Sequence, residues 1–256
     1  MPVSDIMRVQ ELGEMSGKLF LIGAGPGDPE LLTLKAARVL RDCDVILYDR
    51  LVNPEILGLA RPDAERIYVG KHEGLQEHTQ REIARLILDK VRRGKTVARL
   101  KGGDPLVFGR GAEEWEMAVR HGVSVELVPG VTSAIAVPGL AGIPLTYRGI
   151  AQSFAVVTGH CTGGKAIRWQ DYVATDTLVI LMGVKNRAAI AQSLIDVGRN
   201  SQESVAFVQN GTLRQERIVT GTLRQVADSA IDAKSPAVWI IGEVVRIRER
   251  LATPRG

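Results

Sequence analysis

RLKGGDPLVFGRGAEE, residues 99–114, is the stretch whose reading decides the fold. It follows Thr96-Val97-Ala98, and residues 96–100 alternate β-branched and apolar positions as a strand does. Gly102 and Gly103 end that strand with residues free to adopt positive φ and to let the backbone approach a ligand closely. Pro105 then prevents simple continuation. Residues 112–120 have the pattern of a helix, closed by Gly122. Packing alone accounts poorly for a strand that ends in Gly-Gly-Asp, with cations at Lys101 and Arg110. The stretch reads as a ligand loop at the carboxyl end of a strand in an α/β sheet.

The flanking chain repeats this alternation. Residues 18–22 form an apolar strand that feeds GAGPGD, residues 23–28. Residues 29–40 are then expected as one helix, with Asp28 as N-cap and Pro29 at the first helical position. GAGPGD fails the dinucleotide fingerprint: Asp28 replaces the third glycine, Pro26 is inserted, and an acid at the helix N-terminus repels a pyrophosphate. Residues 45–48 are a second strand, ending in Asp49-Arg50, an acid and a base where sites form in open α/β sheets. Asn53 and Pro54 start a short helix, and residues 66–69 are a third strand that leads to Lys71. Thr79 and Glu82 form a capping box for a helix running to Arg93. After a strand at 123–128 comes PGVTSAIAVPGLAGIPLTYR, residues 129–148. It is rich in small residues, and reads as a second ligand loop, a helix start and a domain junction.

The second half has strands at 154–158, 177–182, 205–208 and 237–241, and a helix at 187–197. Residues 215–220 fit a hairpin partner for 205–208, so this sheet is expected to be partly antiparallel. The expected division is a disordered extension at 1–17, an α/β domain at 18–130 and a second α/β domain at 131–256.

Composition narrows the function. The 256 residues are 45% hydrophobic and include 27 glycines, but only 4% are aromatic. That suits an α/β enzyme and argues against a nucleic-acid binder built on stacked bases. The net charge of +4 is mild and fits a small polyanionic substrate. Cys43 and Cys161 have no metal-like spacing, and His72 and His78 lack an evident third ligand, so no metal is expected. No apolar run approaches ~18 residues, so no membrane span is expected, and a reducing cytoplasm is the default compartment.

Taken in order, GAGPGDPELLTLKAARVL, YDRLV, VGK, RLKGGDPLVFGRGAEE, VPGVTSA, GIPLTYR, VTGH and LMGV resemble the uroporphyrinogen-III C-methyltransferases from about Leu19 to Val245. The resemblance implies a two-domain tetrapyrrole methylase fold, with a mostly parallel N-terminal sheet, a mixed C-terminal sheet and a ligand cleft between the domains. It implies a homodimer, and composition and patterning leave it without nucleic-acid or membrane partners in a cytoplasmic setting. It further implies two methyl transfers from S-adenosyl-L-methionine to uroporphyrinogen III, through a monomethylated intermediate. The products are precorrin-2, for sirohaem or cobalamin, and S-adenosyl-L-homocysteine. Carried over position by position, the cofactor contacts fall on Pro26, Gly102, Gly103, Asp104, Val107, Thr132, Ser133, Met182, Gly211, Pro236 and Ala237. The proton acceptor and donor fall on Asp49 and Lys71. Ser133 stands where relatives often have alanine.

The residues themselves leave a rival to Asp49 open. Arg110, with Glu113 three residues on, could grip a propionate or the pyrrole N–H groups. Arg50, Arg110 and Arg148 each flank a presumed ligand loop and are candidates to bind the substrate's carboxylates.

Overall fold

The computed structural model describes residues 17–70, 79–160 and 166–251. The chain divides into two compact units, Met1–Thr132 and Ser133–Gly256.

The first unit is built on a five-stranded parallel sheet. Its strands are β1 (Lys18–Gly23), β2 (Val45–Tyr48), β3 (Glu65–Tyr68), β4 (Thr96–Lys101) and β5 (Ser124–Val128), in the order β3-β2-β4-β1-β5. The helices are α1 (Leu34–Asp42), α2 (Pro54–Leu57), α3 (Gln80–Arg92) and α4 (Gly111–Arg120). Ala36, Val39 and Leu40 of α1 and Ile56 and Leu57 of α2 pack on one face, against Ile22, Ile46, Ala98 and Leu100. Ile83, Ile87, Leu88 and Val91 of α3 and Ala118 of α4 pack on the other, against Leu19, Leu21, Val45, Leu47 and Val97. A sheet covered on both faces explains why its strands are apolar runs.

Local signals were faithful where a cap or a glycine carried them. Thr79 and Glu82 make the full capping box of α3, and Gly94, just past its end, takes φ 76°. The single helix expected over 29–40 is corrected: Pro29–Leu31 is a 3₁₀ turn capped by Asp28, and α1 starts afresh at Leu34 with Thr33 as its own N-cap. Thr33 Oγ1 accepts the amide of Ala36, and that competing cap breaks the run. Gly17, placed in the extension by sequence, is buried, with the carbonyls of Val91 and Lys95 so close that a Cβ would lie 2.4 and 2.6 Å from them.

The outgoing connection of β1 passes toward β2 and that of β4 toward β5, so the two turns meet above adjacent strands. The amide of Gly103 donates to Gly25 O at 2.7 Å and that of Gly25 to Gly103 O at 3.2 Å. A Cβ on Gly130 would lie 2.3 Å from Gly103 O and 2.6 Å from the Cα of Gly23. Only glycine allows three backbones to pass there.

The second unit carries a mixed sheet, β6-β7-β10-β8-β9. Its strands are β6 (Phe154–Thr158), β7 (Thr177–Leu181), β8 (Ser204–Gln209), β9 (Arg217–Thr222) and β10 (Ala237–Ile241). β6 and β7 are parallel, β10 runs antiparallel to β7 and β8, and β8 pairs with β9 as the hairpin expected. α6 (Arg187–Asp196) and α7 (Leu223–Ala227) cover one face through Ile190, Leu194, Leu223 and Val226, around stacked Phe207 and Trp239. α5 (Ser133–Leu140) covers the other through Ala134 and Val137. Val244, Val245 and Ile247 are buried, and the last of these opens α8 (Ile247–Leu251).

Two predictions follow from packing. Gly130→Ala should cost at least about 2 kcal/mol in a denaturant titration, because backbone atoms must shift. Gly139→Ala, where a Cβ meets nothing and the residue is inside α5, should be neutral or stabilising by up to ~1 kcal/mol. Cys43 is fully buried; its thiol is pushed up to about 12, chiefly by burial and then by Asp44 and Asp42. In a Cys161→Ser background, Cys43 should therefore resist Ellman's reagent at pH 8 until the protein is unfolded.

Candidate functional site

The first group of predicted residues sits at the carboxyl ends of the parallel strands, where open α/β sheets bind ligands. Asp104 clamps the turn after β4: Oδ1 accepts the amide of Leu106 at 2.8 Å and Oδ2 that of Gly130 at 3.1 Å. Of the two adjacent glycines only Gly103 has positive φ, 68°; Gly102 faces Leu51, whose Cβ a methyl group would approach to 3.0 Å. Beyond Asp104, Leu106, Val107 and Phe108 are exposed, and Phe108 and Arg110 both take the left-handed conformation. Large apolar side chains held outward on a strained turn are a marked surface feature. The turn after β1, with Pro26, is tied to this region by the Gly25–Gly103 bridge and by Asn53 Nδ2, which donates to Gly27 O at 2.9 Å.

Asp49 lies just past β2. Its Oδ1 accepts the amide of Leu51 at 3.3 Å, and its Oδ2 is 3.6 Å from Arg99 Nη2. The carboxylate is partly exposed, so it is both held and reachable. Arg50 is exposed. Arg110 and Glu113 form an exposed ion pair, with Nη2–Oε2 at 2.7 Å and Nε–Oε1 at 3.0 Å. The hydrogen bond holds the Glu113 carboxyl below the usual range and raises Arg110 above its own. Lys71, the expected proton donor, lies outside the described residues, as do His72 and His78.

Lys101 needs correction. The sequence reading counts it, with Arg110, among the cations of the loop that packing explains poorly. It is instead buried, with Nζ 3.1 Å from Glu114 Oε1. Strand alternation is the reason: Val97, Arg99 and Lys101 share the face covered by α3 and α4, and Glu114 comes down from α4 to meet them. Burial, and then Arg99, push the Lys101 ammonium below the ordinary lysine range, and Glu114 opposes that. Sequence reasoning missed Arg99 and Glu114. Two cations spaced i, i+2 inside a central strand were the available signal, because such charges are rarely buried unless paired.

The second group lies along one end of the mixed sheet. Register sets it: Val238 faces Leu181 and Ala237 faces Gln209, so Met182, Asn210-Gly211 and Pro236-Ala237 emerge at the same edge. The amide of Asn210 donates to Pro236 O at 3.0 Å. A Cβ at Gly211 would meet Val137 of α5 at 2.4 Å, which is a packing reason for that glycine. Ser133 opens α5, directly after Thr132, and both are partly buried. Arg148 is exposed in the turn closed by the Tyr147–Ala151 bridge, next to Tyr147, whose ring and hydroxyl Arg250 approaches.

Met182 is the most telling of these. It is 52% exposed and holds φ 56°, a conformation unfavourable to an unbranched side chain without local compensation. Neither packing nor backbone preference calls for methionine there. Met182→Gly should leave denaturant stability unchanged or raise it by up to ~1 kcal/mol, whereas a loss of 2 kcal/mol or more would show that the side chain packs.

Comparison with known proteins agrees with this architecture. Residues 18–227 match the model for Tetrapyrrole (Corrin/Porphyrin) Methylases. A uroporphyrinogen-III C-methyltransferase of Methanocaldococcus jannaschii is 45% identical over 238 residues, 91% of this chain and 98% of its own length. Siroheme synthase 2 of Aeromonas hydrophila is 48% identical over 92% of this chain, which spans only 51% of that relative. The crystal structure of uroporphyrin-III C-methyl transferase from Thermus thermophilus complexed with S-adenyl homocysteine superposes with a TM-score of 0.81 at 49% identity. It covers 90% of this chain and 100% of that one.

Proposed function

Because the chain belongs to the tetrapyrrole (corrin/porphyrin) methylase family, we propose that it is an S-adenosylmethionine-dependent C-methyltransferase acting on uroporphyrinogen III. It adds two methyl groups, through the monomethylated intermediate, to give precorrin-2 for sirohaem or cobalamin synthesis. A cytoplasmic homodimer completes the proposal. The observation that carries it is the turn after β4: a glycine-packed backbone, clamped by Asp104, that holds Leu106, Val107 and Phe108 outward beside a reachable carboxylate.

These residues fit the cofactor. Exposed apolar side chains on a rigid turn suit an adenosine, and the bare backbone at Gly103 admits close approach. We assign cofactor contacts to Pro26, Gly102, Gly103, Asp104, Val107 and Thr132 in the first unit. In the second we assign them to Ser133, Met182, Gly211, Pro236 and Ala237. When bound, S-adenosylmethionine supplies an activated methyl group on a sulfonium. The protein's main task is then to align the acceptor carbon and exclude water, and such positioning can contribute up to ~7–11 kcal/mol.

Each methylated pyrrole carbon leaves one proton to be removed from the macrocycle. Asp49 is assigned as its acceptor, with Oδ1 fixed by the Leu51 amide and Oδ2 aimed by Arg99. Lys71 is assigned as the donor. Arg50, Arg110 and Arg148 bind acetate and propionate groups of the substrate, each charge-assisted bond contributing roughly 1.5–3 kcal/mol. Arg110, already oriented by Glu113, presents a preformed fork.

Incubation with uroporphyrinogen III and S-adenosylmethionine should give a mass gain of two methyl groups; any other gain refutes the assignment. Asp49→Asn should lower kcat by about 100-fold or more with S-adenosylhomocysteine affinity nearly intact. Arg110→Leu should raise the KM for uroporphyrinogen at least about tenfold without weakening the cofactor. Equal loss of both would remove Arg110 from the substrate site.

A further inference from the structure

Beneath the candidate site lies a set of buried charges. Arg99 and Glu114 each have side chains 3% exposed, and Lys101 is 5% exposed. Arg99 is held at Nε and Nη1 of its guanidinium. Nε lies 3.3 Å from Glu114 Oε1, and Nη1 donates to the carbonyls of Leu100 at 3.1 Å and Leu47 at 3.5 Å. That leaves Nη2 facing Asp49 Oδ2 at 3.6 Å. Lys101 Nζ reaches the same Glu114 Oε1. Glu114 Oε2 has no hydrogen-bond partner among the described residues, so both cations converge on one oxygen.

We propose that Glu114 is a positioning residue that acts through Arg99 to hold and aim Asp49. This rests on the reading of Asp49 as the proton acceptor. Two cations on β4 and two carboxylates, Glu114 on α4 and Asp49 after β2, form a neutral set. Buried charges are tolerated only when paired in this way. Glu114 neutralises the deeper part of the set, so the partly exposed Asp49 is needed as counter-ion by one guanidinium edge and keeps its outer face free.

Without the Glu114 charge, two buried cations would both draw on Asp49, and it would be pulled inward. The depressed basicity of Lys101 agrees with a cation in that crowded setting, where burial and Arg99 disfavour it and Glu114 sustains it. A residue that does no chemistry then sets the geometry of one that does.

A double-substitution cycle tests this, with single-turnover methyl transfer from labelled cofactor as readout and S-adenosylhomocysteine affinity by calorimetry as control. Glu114→Gln should lower the rate about 10- to 100-fold and change the affinity by less than about threefold. In the Asp49→Asn background the same substitution should cost less than about threefold, because its target is gone. Equal losses in both backgrounds, or full activity of Glu114→Gln, overturn the role.

If Glu114→Gln fails to fold, Glu114→Gln combined with Lys101→Met restores charge balance, and the cycle is run on that pair with the same criteria. Absence of methyl transfer by the unsubstituted protein would overturn the reading of the site, and this role with it. Additive losses in an active protein overturn this role alone.

Discussion

Three backbones crossing without side chains is the constraint on which the first unit depends. β1 and β4 are neighbours in the sheet, yet their outgoing connections travel in opposite directions, so the turns must pass one another. They do so at Gly23, Gly103 and Gly130, at separations that a single Cβ would close to 2.3–2.6 Å. The crossing is stitched by the paired Gly25–Gly103 hydrogen bonds and by Asp104, which takes the Gly130 amide. The same contacts that permit the topology therefore fix the turn that presents Leu106 to Arg110.

Beneath that turn the sheet departs from the rule that central strands are apolar. Arg99 and Lys101 occupy buried positions of β4 and are made tolerable by one carboxylate from α4 and by Asp49. Replacing such a set with apolar residues is commonly neutral or stabilising in proteins. Its presence directly under the strand ends is better explained by what it does for Asp49 than by stability.

The second unit gathers its candidate residues along one edge by other means. Antiparallel β10 sits between β7 and β8, so the ends of β7 and β8 and the start of β10 lie together. Met182 and Asn210, left-handed residues that are not glycine, mark the exits of β7 and β8. Backbone strain concentrated at strand exits is a frequent mark of functional turns.

Local chemistry was legible without coordinates. The strands, the α3 capping box, the β8–β9 hairpin and the glycine turns all follow from neighbours a few residues apart, where propensity and capping act. One local conflict was misread: Thr33 out-competes continuation of the helix from Pro29. The long motifs at 23–40 and 99–114, with the shorter ones between and after them, carried the family resemblance, because turn chemistry is written in contiguous residues. Tertiary structure alone decided which cations face solvent. Lys101 and Arg110 look equivalent along the chain, but strand alternation buries the first against a helix thirteen residues on and leaves the second exposed. It alone also brought Glu114 to Arg99 and Asp49. Burial and ion pairing depend on elements far apart in sequence, and no local pattern encodes them.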